Sequence, residues 1–251
     1  MSKIGPNYYY ELIKLVEPIR DKASNDKENI SIIYQSFAPT NDARIAAFSK
    51  LINVLSSLQL SLTFIWKHLM RKNWWSGTAK EIIPEKDVKI YVKEFENFSK
   101  IGFVQLIFSV VESSFRQFLR ALNPVACRGG TSSFRNIYMC LLKSKLSTYS
   151  PESIKFLDLF RHLRNTIHNN GVFFEERGRD IVVIWKKVKY EFKHGAPLEF
   201  VTWDFIMEIS DTIRELLKAV VLDSNLQAIK EEILDPFAQP LISPSAAFYK
   251  A

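Results

Sequence analysis

The sequence predicts a mainly α-helical protein with a small β meander set between its last two long helices. Apolar residues recur at three- and four-residue intervals through the first two thirds of the chain, the period changes to two between about residues 172 and 202, and helical spacing returns from Trp203 to Leu222. With only eight glycines and 47% hydrophobic residues among 251, the chain can bury one substantial core, and disorder is not the default expectation.

Taken in order, Tyr8 to Lys22 and Ile30 to Phe37 read as two helical segments. A long helix starts after Thr40-Asn41 and reaches about Arg71, where the loop KNWWSGTAKEIIP ends it. A second long pattern runs from Glu85 to Leu122, with a break expected near Gly102, and closes at Asn123-Pro124. Shorter helices follow at about Ser133 to Leu146 and Ser150 to His168. In the latter, Ser150 can cap the free amides, Pro151 occupies the first turn where its missing N–H costs nothing, and Gly171 supplies a left-handed stop. VFFEE, DIVVIW, KVKYEF and LEFVT then read as short strands around RGRD and HGAP turns. Pro236, Pro240 and Pro244 exclude regular helix from the end of the chain. The expected organisation is an N-terminal helical extension over residues 1–80, separate or completing the same bundle, a domain over 81–222 that includes the meander at 172–202, and a Pro-containing tail at 223–251, extended or partly disordered over DPFAQPLISPSAAFYKA.

A net charge of +7 and a pI near 9.3 favour polyanionic partners without identifying one. The two cysteines, Cys127 and Cys140, fit neither a disulfide framework nor a paired metal site, which points to a reducing, cytoplasmic setting. The start MSKIGPNYYYELIK lacks the apolar core of a signal peptide. The longest uncharged run, Leu51 to Trp66, is short for a bilayer span and is interrupted by polar residues, so a buried helix is expected and no membrane partner.

The stretch FLDLFRHLRNTIHNNGVFF, Phe156 to Phe174, concentrates polar chemistry where a helix ends. Phe156, Phe160, Leu163 and Ile167 form an apolar stripe that must face the core. Arg161, Arg164 and His168 form a second stripe, spaced so that two guanidinium groups and an imidazole reach one phosphate-sized object. Arginine can hold non-bridging oxygens in a fork, and histidine can move a proton near neutral pH. The plainer alternative is that both arginines complement the helix C-terminus or form surface ion pairs while His168 meets a carbonyl.

FRHLRNTIHNNGVFF resembles the signature of the HEPN superfamily, all-α domains in which an Arg followed by a polar residue precedes a His with four to six residues between them. Arg161, followed by polar His162 and separated from His168 by six residues, is one anchor; Arg164-Asn165, with only three residues between Arg164 and His168, is the other. LIFSVVESSFRQFLRAL, Leu106 to Leu122, resembles the family's earlier helix, with Glu112 and Arg116 as its acidic and basic pair, although an ordinary intrahelical ion pair looks the same. The resemblance covers about Val88 to Leu222. It implies a HEPN-like helical bundle and a homodimer with a composite cleft across the two-fold. It also implies cleavage of single-stranded RNA without metal or cofactor, in a prokaryotic defence or toxin-type role. In that scheme His168 assists proton transfer, Arg161 and Arg164 stabilise charge on phosphorus, Asn165 positions the phosphate and His162 is a polar accessory. A protein or nucleotide regulator is also in keeping with it. The alternatives are a non-catalytic HEPN-like module that binds RNA, a nucleotide or a protein, and a helical adaptor with no RNA affinity.

Other candidates are weaker. His68 and His194 stand alone, and no HExxH or acidic cluster accompanies His162 and His168, so no metal site is expected. Cys127 beside Arg128 and two glycines offers a thiol nucleophile in principle, and CRGGTSS lacks the Lys of a phosphate-cradling loop. In IWKKVKYEFKHG, Trp185 and Tyr190 could stack bases while Lys186, Lys187, Lys189 and Lys193 track a backbone, or the lysines form a solvated strand face over buried aromatics. Trp74 and Trp75 suit helix packing or a dimer contact.

Overall fold

A computed structural model describes residues 6–37, 41–78, 83–125, 133–148 and 150–236. A buried carboxylate explains why its first helix, α1 (Pro6–Ile33), outruns the apolar pattern. The polar run Ser24 to Asn29 reads as a gap between two helices, yet Asp26 is buried there and pairs with Arg214 and with Lys218 at 2.8 Å. Ion pairing to another helix thus replaces the missing hydrophobic contact, and Ala23 and Ile30 on either side reach the core. Pro18 lies on the exposed side, where the carbonyl it leaves free can meet water.

The second helix, α2 (Ala43–Phe64), is capped by Asp42 and continues through a π-turn at Ile65–Leu69. The segment expected as a loop after it holds a short helix, α3 (Lys72–Thr78), because its tryptophans dock: Trp75 donates to the Leu69 carbonyl at 2.8 Å, and Trp74 meets the Phe64 ring edge-on. The fourth helix, α4 (Glu85–Leu122), is unbroken at Gly102. A helical glycine costs about 1 kcal/mol, and burial of the neighbouring Phe103, Val104 and Ile107 exceeds that. Two helices, Ala43–Leu69 and Glu85–Leu122, are by length and composition apolar enough to cross a membrane, and half of each apolar window is buried inside the bundle.

Next come α5 (Phe134–Cys140), which Ser133 caps and which runs into a π-turn at Leu141–Lys145, and α6 (Pro151–His168), capped as expected by Ser150 with Pro151 in the first turn. The expected meander is smaller than the alternation suggests. Only β1 (Ile181–Trp185) and β2 (Val188–Phe192) form a sheet, an antiparallel hairpin with Trp185 opposite Val188. Of the other expected strands, VFFEE makes one isolated bridge, from Val172 to Pro197 in the HGAP turn, where the proline lacks the donor a longer ladder needs, and LEFVT joins no ladder among the described residues. The last long helix, α7 (Trp203–Val221), is capped by Thr202, and a short α8 (Ser224–Gln227) follows.

One hydrophobic cluster runs from Tyr9 to Ile233, so α1 and α2 share a core with α4 and α7. Glu96, buried in α4, ties three helices by accepting from Tyr9 at 3.1 Å and Trp203 at 2.9 Å. The first part of the expected tail is packed against the bundle. Fully buried Arg44 donates to the carbonyls of Leu226, Ile229 and Glu231, and Leu234 bridges to Asp42. Pro240, Pro244 and the CRGG segment with Cys127 lie outside the described residues.

Candidate functional site

Helix α6 divides its chemistry between two faces. Phe156, Leu159, Phe160, Leu163 and Thr166 are buried against the bundle and the hairpin. Arg161, Arg164, Asn165 and His168 fall within roughly a 100° arc on another side. Arg161, Arg164 and Asn165 are half-buried there and His168 is exposed. The helix therefore brings together four of the candidate residues by its own geometry.

The end of α6 fixes where His168 stands. Asn170 (φ 57°) and Gly171 (φ 85°) are both left-handed. Asn170 N–H donates to the Ile167 carbonyl at 3.1 Å and Gly171 N–H to the Thr166 carbonyl at 3.0 Å, the paired closure of a Schellman motif. Asn170 takes the position expected of Gly171, an exchange Asn tolerates better than other side chains. His168 is thus the last helical residue, with its imidazole in solvent.

The two arginines are held differently. Arg164 lies over the Phe108 ring of α4, 5.1 Å from its centroid, and its Nη1 donates to Asn165 Oδ1 at 3.3 Å. Arg161 directs Nη2 at His162 Nε2, 2.8 Å away, and at Asp158 Oδ1, 3.7 Å away. Asp158 also accepts from the Tyr138 hydroxyl and faces Arg135 at 3.8 Å. Burial, and then the bond to Asp158, push the Tyr138 pKa well above the usual phenol value, so the hydroxyl remains a donor. The Nε atoms of Arg161 and Arg164 are buried without a hydrogen-bond partner among the described residues. A buried donor left unsatisfied costs about 1–3 kcal/mol, and an oxyanion or a partner chain seated on this face could relieve it.

His162, expected as a polar accessory, lies on the buried side of α6. It points inward, 7% exposed, with ring centroids 5.7 Å from Phe173 and 5.3 Å from Phe192. Burial first, and then the Arg161 charge, lower its pKa from 6.5 to about 4, so the ring is neutral at physiological pH. The sequence signal for this inward turn is its spacing three and four residues from Leu159 and Thr166, both buried, which marks that side of the helix.

The earlier pair on α4 forms as an i, i+4 contact, with Arg116 Nε donating to Glu112 Oε1 at 3.2 Å, one turn beyond the Phe108 that Arg164 covers. The hairpin offers less than its sequence suggests. Tyr190, 7% exposed, faces inward with Trp185 and packs against Phe200 and Phe205, so neither aromatic is open for base stacking. Period-two alternation puts both on the core side. Lys186 pairs with Glu208 at 3.0 Å, Lys189 with Glu191 at 2.6 Å and Lys193 with Glu191 at 3.9 Å, whereas Lys187 is exposed and has no ion pair among the described residues. Among the described residues no group of three or more His, Cys, Asp and Glu side chains could hold a metal ion.

No family model, curated protein or solved structure matches this chain. The physical arrangement of α6 therefore carries the functional argument.

Proposed function

We propose that the protein is a HEPN-type endoribonuclease that cleaves single-stranded RNA without a metal, using the outer face of α6 as its phosphate site. The observation that carries this reading is the grouping of Arg161, Arg164 and exposed His168 on one helix face, with two buried arginine Nε donors lacking protein partners among the described residues. A phosphodiester fits that set because its non-bridging oxygens accept from guanidinium groups while a neighbouring imidazole can carry a proton.

The ribose 2′-oxygen attacks its own phosphorus, the bond from phosphorus to the 5′-oxygen breaks, and a 2′,3′-cyclic phosphate and a 5′-hydroxyl result. One group must take the 2′ proton and another must supply one to the leaving oxygen. His168 performs one of these transfers, and a second copy of His168 across a two-fold axis performs the other. Arg161 and Arg164 offset the charge that gathers on phosphorus, and Asn165 orients the phosphate. A place in prokaryotic defence or as a toxin, under a protein or nucleotide regulator, belongs to the same proposal.

The test is cleavage of a labelled mixed-sequence single-stranded RNA in EDTA, alongside His168→Ala and a 2′-deoxy substrate. Cleavage lost in both controls supports the mechanism. Binding without cleavage by a dimer confirmed in sedimentation would replace it with a non-catalytic HEPN-like module for RNA, a nucleotide or a protein.

A further inference from the structure

We propose that His162 is a positioning residue: a neutral imidazole sealed beneath the hairpin whose Nε2 accepts from Arg161 and fixes that guanidinium to receive an RNA phosphate. The inference rests on the reading of the α6 face as the phosphate site, and it gives the hairpin a part in that site.

An arginine can only donate, so the 2.8 Å contact between Arg161 Nη2 and His162 Nε2 requires a lone pair on Nε2 and the proton on Nδ1. The surroundings enforce this state. Phe173, from the segment after α6, and Phe192, from β2, enclose the ring and remove water that would stabilise an imidazolium. The charged groups around it are Arg161 and Asp158 on α6, Arg135 on α5 and Glu175 in the loop before the hairpin. Burial and Arg161 outweigh the two carboxylates, and the ring stays neutral until about pH 4.

The grip falls on one corner of the guanidinium. His162 and Asp158 both address Nη2, and Tyr138 holds Asp158 from α5. Nε has no hydrogen-bond partner among the described residues, so part of a fixed fork remains for an anion. Preorganisation of this kind matters because a flexible arginine must lose side-chain freedom each time it binds.

The experiment separates positioning from packing with two variants at one site. His162→Phe suits an aromatic layer but has no acceptor; His162→Gln keeps an acceptor in a different shape. The expected result is a native melting temperature for His162→Phe with RNA cleavage slowed roughly ten- to a hundredfold, and substantial rescue by His162→Gln. Full activity in His162→Phe, or an equal further loss when it is added to Arg161→Gln, overturns the proposal. A second arm needs no activity: imidazole 15N spectra of the wild type should show the Nδ1–H tautomer down to about pH 5, and Arg161→Gln should raise the titration midpoint of His162. An unchanged midpoint refutes the contact itself. Wild-type protein that neither binds nor cleaves RNA defeats both the ribonuclease reading and the positioning role of His162, while the spectra still decide whether Arg161 and His162 are coupled.

Discussion

Removing the Arg44 side chain should unfasten the C-terminal segment from the bundle. Arg44 and Asp42 are both fully buried; Arg44 Nε and Nη2 meet the carboxylate at 2.9 and 2.6 Å, and the guanidinium stacks 4.2 Å from the Tyr34 ring centroid. In Arg44→Ala the carbonyls of Leu226, Ile229 and Glu231 lose their donor, and Asp42 is left as a buried charge supported by the Arg44 and Ile233 amides. Breaking a buried pair by removing one partner costs about 3–5 kcal/mol. For a chain of this size each kcal/mol moves the midpoint by about 2–4 °C, so thermal unfolding followed by circular dichroism should shift down by roughly 6–20 °C. Combining Arg44→Met with Asp42→Asn keeps the helix cap and strands no charge, and should lose less than Arg44→Ala. A shift below about 3 °C in Arg44→Ala, or a double variant worse than the single one, would refute the assignment of this pair as the clamp.

Three further outcomes are expected. Because the folded His162 pKa lies near 4 and the unfolded one near 6.5, the unfolded chain binds the extra proton between those values. That contribution is intact above about pH 6.5 and is lost as pH falls towards 4, up to about 3 kcal/mol; urea denaturation should show this slope in the wild type and a shallower one in His162→Phe. Lys186 (φ 48°) and Lys187 (φ 65°) occupy a two-residue hairpin turn that favours Asn-Gly. Replacing them with Asn and Gly should stabilise the fold by about 1 kcal/mol while weakening RNA binding and reducing its salt dependence, measured by fluorescence anisotropy at several salt concentrations. Asp223 accepts from the backbone and hydroxyls of Ser147 and Thr148 and from the Asn225 amide, bonds that lower its pKa against the opposing effect of burial. Asp223→Ala should therefore cost at least about 2 kcal/mol, read in the same denaturation assay.

Where sequence and structure part, the cause is an interaction between residues far apart in the chain. Ser150 and Pro151 mark the start of α6 because capping is local, and the spacing from Arg161 to His168 predicts a shared face because helix geometry is local. The continuity of α1 was not legible, since the burial of Asp26 depends on Arg214 and Lys218 near the other end of the chain. Nor was the packed start of the tail, which Arg44 and Asp42 hold from the beginning of α2. The hairpin lysines share this difficulty: alternation separates inner from outer residues, but it does not reveal that three of the four pair with Glu191 or Glu208.

The same distinction sets the value of the α6 motif. Spacing alone places Arg161 and His162 one residue apart, where side chains on a helix diverge. In the fold, Phe173 and Phe192 close over the ring of one, while Asp158 and Tyr138 stand beside the guanidinium of the other. The inward residue can then steady the outward one without reaching the surface. A helix end dense in polar side chains is thus divided between two faces: His168 is exposed beside the half-buried arginines, and His162 ties Arg161 to the aromatic layer beneath the hairpin. Hairpin substitutions that loosen Phe192 should consequently change the behaviour of Arg161, even though β2 itself carries none of the candidate catalytic groups.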